Sequence, residues 1–324
     1  MVVNYSLRQL RYFVATAECG GIAQASRRLN ISEPAISGAI RELEISFGAQ
    51  LFTRRRSAGL SLTPTGNRFL QHVQHLLRNA REFEQKILGE NDIIAGEISL
   101  ACFHTLAPRY VPRLVATFKK LYPDVHIQLH VVTQLELIDG MRDGKYDMAI
   151  CYSHGLPQTI ESVALLPDLY PQAVLPETHR FAKFKELSLS MLADDPLILL
   201  DVWPSNEYFL SLFESASVQP KIAYKVPSIE LVRGLVGFEL GYSILVTQPE
   251  DFRTLSGKRV LTVPVTDRLV PSRIVMAWHG ATDLTNLTRK FLHNCQQEIS
   301  MPPSIKGESE GLRLVHSNTD ESGS

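Results

Sequence analysis

Three short helices are spaced along the first 50 residues in a way that constrains the chain more than any other feature of its sequence. Apolar residues recur at helical intervals over Leu7 to Ala17 and over Ile22 to Leu29, with two glycines between the runs. Ser32 stands where it can cap a third helix, whose apolar stripe extends from Ile36 to Phe47. Two short helices joined by a tight turn predict a helix-turn-helix, which inserts its second helix into the major groove of DNA.

The outward face of the third helix is nearly bare, because small residues stand where a surface helix normally carries charge. Because Gly38 is at the centre of this face, we expect the helix backbone to lie close to the DNA groove. Ser37 and Arg41 are then the main side chains that can contact base edges. Three consecutive arginines follow on a turn. Alone they indicate a solvated loop, but beside a helix-turn-helix they predict a wing that grips phosphates. The predicted DNA-binding residues are Ser32, Ala35, Ser37, Gly38, Arg41, Arg54, Arg55, Arg56 and Thr63.

Charge is divided unevenly along the chain. Up to Leu88 there are 12 Lys and Arg against 6 Asp and Glu, and beyond it 21 against 28, so a net charge of −1 conceals +6 and −7. Eleven of the twelve basic residues in the first part are arginines, whose planar guanidinium suits phosphates and guanine edges. A basic surface without a partner is the competing interpretation, but the motif favours double-stranded DNA.

A single long helix is predicted after the wing, because no proline or glycine interrupts the chain between Asn67 and Leu88. Its apolar residues step by four and three along a seam: Phe69, Val73, Leu76, Ala80, Phe83 and Ile87. We expect this seam to form a homodimer, and the alternative is packing onto the chain's own body. His72 and His75 on the same helix are expected to face solvent rather than to bind a metal.

Strands and helices alternate beyond Gly89, from an apolar strand at Ile98 to Phe103 onward, and a second set begins near Leu197. The expected fold class is multidomain α and α/β, with two lobes in the larger domain. The predicted domains are a winged helix-turn-helix at 1–63, a dimerising linker helix at 64–88, a hinge at 89–96, a two-lobed α/β effector domain at 97–300 and a flexible tail at 301–324.

Ligands of open α/β sheets bind beyond the carboxyl ends of the strands. Applied to this chain, that rule selects Phe103, His104, Thr105, Thr133, Gln134, Tyr152, Ser153, Ser205 and Asn206 as effector-binding residues. Hydroxyls and backbone N–H groups at helix N-termini suit a carboxylate or a similar anion. The competing interpretation is helix capping or turn formation, which Ser, Thr and Asn perform routinely.

Two cysteine and histidine pairs invite a different hypothesis. Cys102 with His104, and Cys151 with His154, lie at strand ends that are candidates for neighbours, which suggests a metal or redox sensor. The cysteines stand in apolar strands, however, and their spacing matches no common zinc pattern. We therefore expect core cysteines, with no metal and no cofactor.

Other classes of protein are disfavoured by what the sequence lacks. It shows no GxSxG, HExxH, GxGxxG or P-loop pattern, so an enzyme is not expected. Its first residues lack a charged stretch followed by an apolar one, and it shows no uninterrupted apolar run long enough to span a bilayer, so neither secretion nor membrane insertion is expected. A cytoplasmic protein is therefore expected, whereas a transported-solute receptor would carry a signal peptide and lack the arginine-rich N-terminus.

The chain resembles the LysR-type transcriptional regulators over roughly Ser6 to Cys295. The motifs that carry the resemblance are Leu7 to Val14, Gly21 to Ser26, Ser32 to Leu43, Leu51-Phe52, Leu62 to Gly66, Leu106 to Asp124, Asp139 to Ile150 and Ser228 to Val246. The resemblance implies a periplasmic-binding-protein-like effector domain, a ligand between its lobes, and dimers paired into a homotetramer. Glu33, Gly38 and Ala39 stand where the family usually has glutamine, arginine and glutamine, which puts the usual operator preference in doubt.

Overall fold

The structure is a computed structural model that describes residues 4–55, 59–88, 95–247, 252–280 and 284–300. Arg56, most of the predicted hinge and the predicted tail lie outside these residues. In chain order the elements are α1 Leu7–Cys19, α2 Ile22–Leu29, α3 Glu33–Phe47, β1 Phe52–Arg55, β2 Gly59–Leu62, α4 Pro64–Leu88, β3 Gly96–Phe103, α5 Ala107–Leu121, β4 Val125–Val132, α6 Gln134–Arg142, β5 Met148–Tyr152, β6 Ile160–Ala164, β7 Gln172–Pro176, a 3-10 helix Leu189–Leu192, β8 Pro196–Leu200, α7 Ser205–Ser215, β9 Lys221–Val226, α8 Ile229–Gly237, β10 Ser243–Leu245, β11 Val260–Pro264, β12 Ile274–His279 and α9 Asn286–Ser300.

Local signals define the ends of the N-terminal helices. Ser6 and Gln9 form a capping box before α1, and Gly20 ends that helix in the left-handed conformation at φ +71°. Asn30 ends α2 in the same way. Ser32 is the N-cap of α3 as predicted, although its hydroxyl forms no capping hydrogen bond. The three predicted helices are therefore confirmed, and β1 and β2 pair antiparallel as the wing.

The apolar seam of α4 is divided between two environments. Phe69 contacts Phe13 and Phe47 ring to ring, and Val73 is only 3% exposed, so this end of the seam completes the core of its own domain. Leu76 and Phe83, further along, are 38% and 66% exposed. Packing onto the chain's own body thus accounts for Phe69 and Val73 and leaves Leu76 and Phe83 exposed.

The effector domain has two lobes, each with its own sheet and core. In lobe I the strand order is β4-β3-β5-β12-β6, where β3 runs parallel to both neighbours and β12 is antiparallel to β5 and β6. In lobe II, β7 lies between β10 and β11, β8 pairs with β9, and a bridge from Leu197 to Tyr242 joins the two groups.

The chain crosses between the lobes twice, and the crossing segments are bonded to each other. Leu169 and Ser272 exchange two backbone hydrogen bonds of 2.9 Å, one in each direction. Because β12 returns from lobe II into the centre of the lobe I sheet, the second crossing is anchored by paired strands on both sides. Within the described part of the chain, no helix is long and apolar enough to cross a membrane.

Candidate DNA-contact face and effector cleft

Helix α3 separates its buried and exposed residues cleanly. Ile36, Ile40 and Leu43 are at most 6% exposed and pack inward. The predicted contact residues on the opposite side and its flanks, Ala35, Ser37, Gly38 and Arg41, are all exposed. A Cβ atom built on Gly38 would meet nothing within 4 Å. The face is therefore shallow and open, and a flat partner can approach its backbone.

Two predicted hydroxyl contacts have different surroundings. Ser32 is exposed, and its side chain caps nothing. Thr63 donates its hydroxyl to the carbonyl of Gln50 at 2.7 Å and accepts from the N–H of Gly66 at 2.8 Å. Both bonds of Thr63 are thus internal, and they join the end of the wing to the start of α4.

The basic wing is built on the β1–β2 hairpin. Arg54 pairs with Leu60 and Arg55 with Gly59 in its ladder. The two arginines therefore occupy adjacent ladder positions at the end of β1. Arg56 follows them in the sequence and lies outside the described residues.

The cleft between the lobes contains a small cavity of about 10 Å³. Its lining combines the end of β5, the start of α7 and both crossing regions: Tyr152, His154, Pro204, Ser205, Tyr208, Phe209, Val246 and Ser272. Of the predicted effector residues, Tyr152 and Ser205 are in this lining. Tyr208, Phe209, Val246 and Ser272 were missed, because only the association of the lobes brings them to the strand ends of lobe I.

Hydrogen bonds across the cleft hold its two tyrosines. The hydroxyl of Tyr152 lies 3.0 Å from Oγ1 of Thr247, and that of Tyr208 donates to the carbonyl of Val270 at 2.8 Å. Burial raises the pKa of Tyr152 to about 12, so its hydroxyl stays protonated at neutral pH. Both rings are therefore neutral, and each is fixed at its outer end.

The remaining predicted effector residues have supporting positions. Phe103 packs edge-on against Tyr152, with ring centroids 5.7 Å apart, and tilts against His104. Gln134 donates both bonds of its amide nitrogen, at 2.9 and 2.8 Å, to the carbonyls of Tyr152 and His154. Gln134 thus fixes the backbone at the end of β5.

Two other predicted side chains make local hydrogen bonds, and Ser153 is anchored through its backbone. Thr133 forms a capping box with Glu136 at the start of α6. Asn206 accepts a hydrogen bond from the N–H of Glu207 and donates one to Asp201. The N–H of Ser153 donates to the carbonyl of Arg273. The capping interpretation therefore describes Thr133, whereas Asn206 is bonded within the first turn of α7 and to the residue that follows β8.

Two polar atoms around the cleft are buried without a protein partner: Oε1 of Gln134 and Nε2 of His154. Oγ1 of Thr105 is also buried, beside the hydroxyl of Tyr152. Burial also lowers the pKa of His154, so its imidazole is neutral near pH 7. An unpaired buried polar group costs about 1–3 kcal/mol. A ligand or solvent molecule that reached these atoms would recover part of that energy.

The cysteines of the sensor hypothesis lie in the core of lobe I. Cys102 and Cys151 are at most 1% exposed, and burial raises the pKa of Cys102 to about 12. The thiol is therefore protonated at neutral pH, and the thiolate that binds metals or reacts with oxidants is disfavoured. Within the described ranges, no group of three or more His, Cys, Asp or Glu residues is arranged to hold a metal ion.

Comparison with known proteins gives two family matches. Residues 7–67 match the bacterial regulatory helix-turn-helix protein, lysR family, and residues 92–300 match the LysR substrate binding domain. The chain is 29% identical over 294 residues to the HTH-type transcriptional regulator YnfL of Escherichia coli, which covers 89% of this chain and 97% of YnfL.

Solved structures agree with these matches. HinK of Pseudomonas aeruginosa, a LysR family transcriptional regulator, is 46% identical with a TM-score of 0.62, covering 91% of this chain and 99% of HinK. A full-length OxyR variant from the same organism is 20% identical with a TM-score of 0.69, covering 92% of this chain and 95% of the OxyR chain. The second likeness concerns the fold alone.

Proposed function

The chain belongs to the LysR family of DNA-binding transcriptional regulators, which are not enzymes, and from this premise we propose how its two parts work. Helix α3 reads operator DNA, and a small molecule between the two lobes of the effector domain controls that binding. The observation that carries this proposal is the bare exposed face of α3 opposite the buried residues Ile36, Ile40 and Leu43. The proposed place of action is the cytoplasm.

In this proposal, only a few side chains contact the DNA bases directly. Ser37 and Arg41 contact base edges, while Ala35 and Gly38 let the helix lie deep in the groove. The free hydroxyl of Ser32 suits a phosphate. Phosphates are also bound by the wing arginines Arg54, Arg55 and Arg56, and Thr63 acts indirectly by holding the wing to α4.

A homodimer through α4 is supported by two exposed residues of its seam. The exposed Leu76 and Phe83 lie on the helix whose Leu77 and Ala80 line a groove of about 460 Å³. The rest of that groove comes from α1 and the α2–α3 turn: Leu7, Arg8, Arg11, Tyr12, Leu29 and Ile31. Covering two large apolar side chains contributes about 1.5–3 kcal/mol each. The second copy of α4 is the proposed occupant.

A homotetramer is supported by exposed apolar side chains on both lobes. Leu129, Val131 and Leu135, on β4 and α6, are 47–59% exposed. Ile222 and Tyr224, on β9, are 39% and 42% exposed. Contiguous apolar surface on a sheet edge and its neighbouring helix is typical of an interface. We propose that effector domains of different subunits cover these surfaces.

The proposed effector is small and carries an anionic group near the start of α7. Ser205 is the first residue of that helix, is 7% exposed and lines the cleft. Helix N-termini favour negative charge because their first N–H groups lack helical partners. No Lys or Arg is among the residues that line the cavity. The N–H groups at the start of α7 and the nearby hydroxyls would therefore bind the anionic group.

Salt-dependent binding to the DNA upstream of the protein's own gene tests the DNA proposal. Arg41→Ala should weaken binding to this site about 10- to 100-fold and leave unrelated DNA nearly unaffected. Arg54→Ala should weaken all sequences alike and reduce the slope of log K against log salt by about one. Arg28→Ala is the control, because Arg28 is already paired with Glu18 at 2.7 Å. Equal, small effects from Arg41 and Arg54 would contradict the assignment.

A thermal-shift screen of small carboxylic acids and their matched amides tests the effector proposal. An acid that binds should raise the melting temperature of the effector domain, and Ser205→Ala should reduce that rise. The bound acid should also change the affinity of the protein for its operator DNA. Stabilisation by amides but not by acids would rule out an anionic group at α7.

A further inference from the structure

The loop after β5 brings an aromatic ring of lobe I against lobe II. The His154 imidazole stacks on Tyr208 of α7, with ring centroids 4.6 Å apart and planes 28° apart. In the next residue, a Cβ atom on Gly155 would lie 2.8 Å from two carbon atoms of the Trp203 indole. Two consecutive residues of one loop therefore contact aromatic side chains of the opposite lobe.

These contacts leave little space in the cleft. A cavity of about 10 Å³ is the smallest that accepts one water molecule. A larger ligand that lies within this cavity, rather than at its mouth, has to displace a side chain from the lining. Tyr152 and Tyr208 are both held by hydrogen bonds from their hydroxyls, whereas Nε2 of His154 is buried with no partner. His154 is therefore the most weakly held of these three rings.

We propose that the His154 side chain is an internal occupant of the effector site, which a ligand displaces by placing a flat ring or conjugated group on Tyr208. This inference rests on the proposed function of the cleft. The exchange preserves a stacking partner for Tyr208, so the aromatic contact is replaced rather than lost. It also releases Nε2 of His154 to solvent or to the ligand, which removes the burial of an unpaired polar atom.

A cavity-and-probe experiment on the full-length protein tests the displacement. His154→Ala opens a space of about one imidazole ring, and apolar cavities of that kind bind flat molecules. Pyrazole, which is flat and uncharged at neutral pH, should raise the melting temperature of His154→Ala by about 2–4 °C. It should leave the wild type unchanged at the same concentration. Tetrahydrofuran, similar in size but puckered, should give a smaller rise.

His104→Ala is the matched control, because His104 is also a half-buried histidine at a strand end but is absent from the lining of the cavity. Pyrazole should not stabilise it. If His154→Ala does not fold, His154→Ser keeps a polar group and still removes the ring, and pyrazole should stabilise that variant in its place. Stabilisation of neither variant, or of wild type equally, overturns the inference.

Operator affinity measured in the same samples distinguishes this inference from the proposed function. Pyrazole that stabilises His154→Ala and also changes its operator affinity supports both. Stabilisation without any change in operator affinity supports the internal occupant but contradicts control of DNA binding from this cleft. Failure of pyrazole to bind, together with a carboxylic acid that still regulates wild type, overturns the inference alone.

Discussion

The face of α3 and the cleft between the lobes are opposite kinds of binding surface. The face is open, comes from one helix of 15 residues, and carries Gly38 with no atom near its missing side chain. The cleft is nearly filled, and its lining extends from Tyr152 to Ser272 in the sequence. A rigid face suits a partner of constant shape such as DNA, whereas a filled cleft changes shape when a ligand enters.

The contrast between the N-terminal domain and the effector domain would fail most clearly if the two did not unfold independently. Phe13→Ala removes a fully buried ring that contacts Phe52 and Phe69, so we expect the N-terminal domain to lose about 3–5 kcal/mol of unfolding free energy. Both tryptophans, Trp203 and Trp278, lie in the effector domain, so urea unfolding followed by their fluorescence should not change.

Phe213→Ala is the converse variant, because Phe213 is 1% exposed in the core of lobe II. It should shift the tryptophan transition and leave the unfolding of the N-terminal helices in place. If Phe13→Ala moved the tryptophan transition by the same amount, the domains would be one cooperative unit and the contrast between them would fail.

The contact across the cleft should be sensitive to a single methyl group. Gly155 has φ +74°, and Gly155→Ala adds a backbone penalty of about 1–2 kcal/mol to the displacement of Trp203. Gly144→Ala is the matched control, since its φ is +71° but the nearest side-chain atom would be 3.5 Å from the added Cβ. We expect Gly155→Ala to lower effector-domain stability more and to shift tryptophan emission to the red. Equal effects would mean that the indole contact contributes nothing.

The open face of α3 should accept additions that the cleft would not. Gly38→Ala should stabilise the N-terminal domain by about 1 kcal/mol, because glycine is a poor helix former and the new Cβ meets no atom. Gly38→Arg should also strengthen binding to any DNA and steepen its salt dependence by about one. Loss of affinity in Gly38→Arg, with Gly38→Ala unchanged, would instead indicate that the groove needs a residue without a long side chain here.

Lowering the pH should destabilise the effector domain more than the N-terminal domain. This is the smallest of the effects that we predict. Residues 1–63 contain no histidine, whereas burial lowers the pKa of His104 and His154 in the effector domain. Below the pKa of these histidines in the unfolded chain, the unfolded state therefore binds more protons than the folded state. The free energy of unfolding is highest above that pKa and decreases as the pH falls through it. Calorimetry from pH 7.5 to 5.5 should show a falling effector-domain transition.

His104→Gln with His154→Gln should reduce that slope without abolishing it. His130 and His179 have pKa values lowered by burial as well, and they contribute with the same sign. An unchanged slope in the double variant would show that neither of the two histidines takes up a proton over this range.

Much of the fold was predictable where contacts are local. The spacing of Leu10, Phe13 and Ile36 within helical runs, together with Gly20 and Asn30 at helix ends, determines the N-terminal helices. The bounds predicted for α2 are those observed. In the effector domain β6, β7, β10 and β11 were not predicted, because strands of three to five residues have weak local signals. The strand β12 and the helix α9 were not predicted either, although Leu287, Phe291 and Cys295 of α9 form a buried stripe at helical spacing.

The candidate cleft was predictable only in part, through Tyr152 in lobe I and Ser205 in lobe II. The same reasoning also selected Thr133, which caps α6, and Asn206, which makes local hydrogen bonds at the start of α7. A hydroxyl or amide next to a strand end has the same sequence signature in either role. Only the position of the second lobe shows whether such a side chain lines the cleft or makes local hydrogen bonds.

The sequence by itself determined the family, the helix-turn-helix and the uneven charge, since these depend on residues within a few turns of each other. Tertiary structure alone decided that Phe69 and Val73 of the α4 seam belong to the core of their own domain and that His154 meets Tyr208. The physical reason is distance along the chain. Residues 54 positions apart become neighbours only when two hydrophobic cores have formed and the crossing strands hold them together.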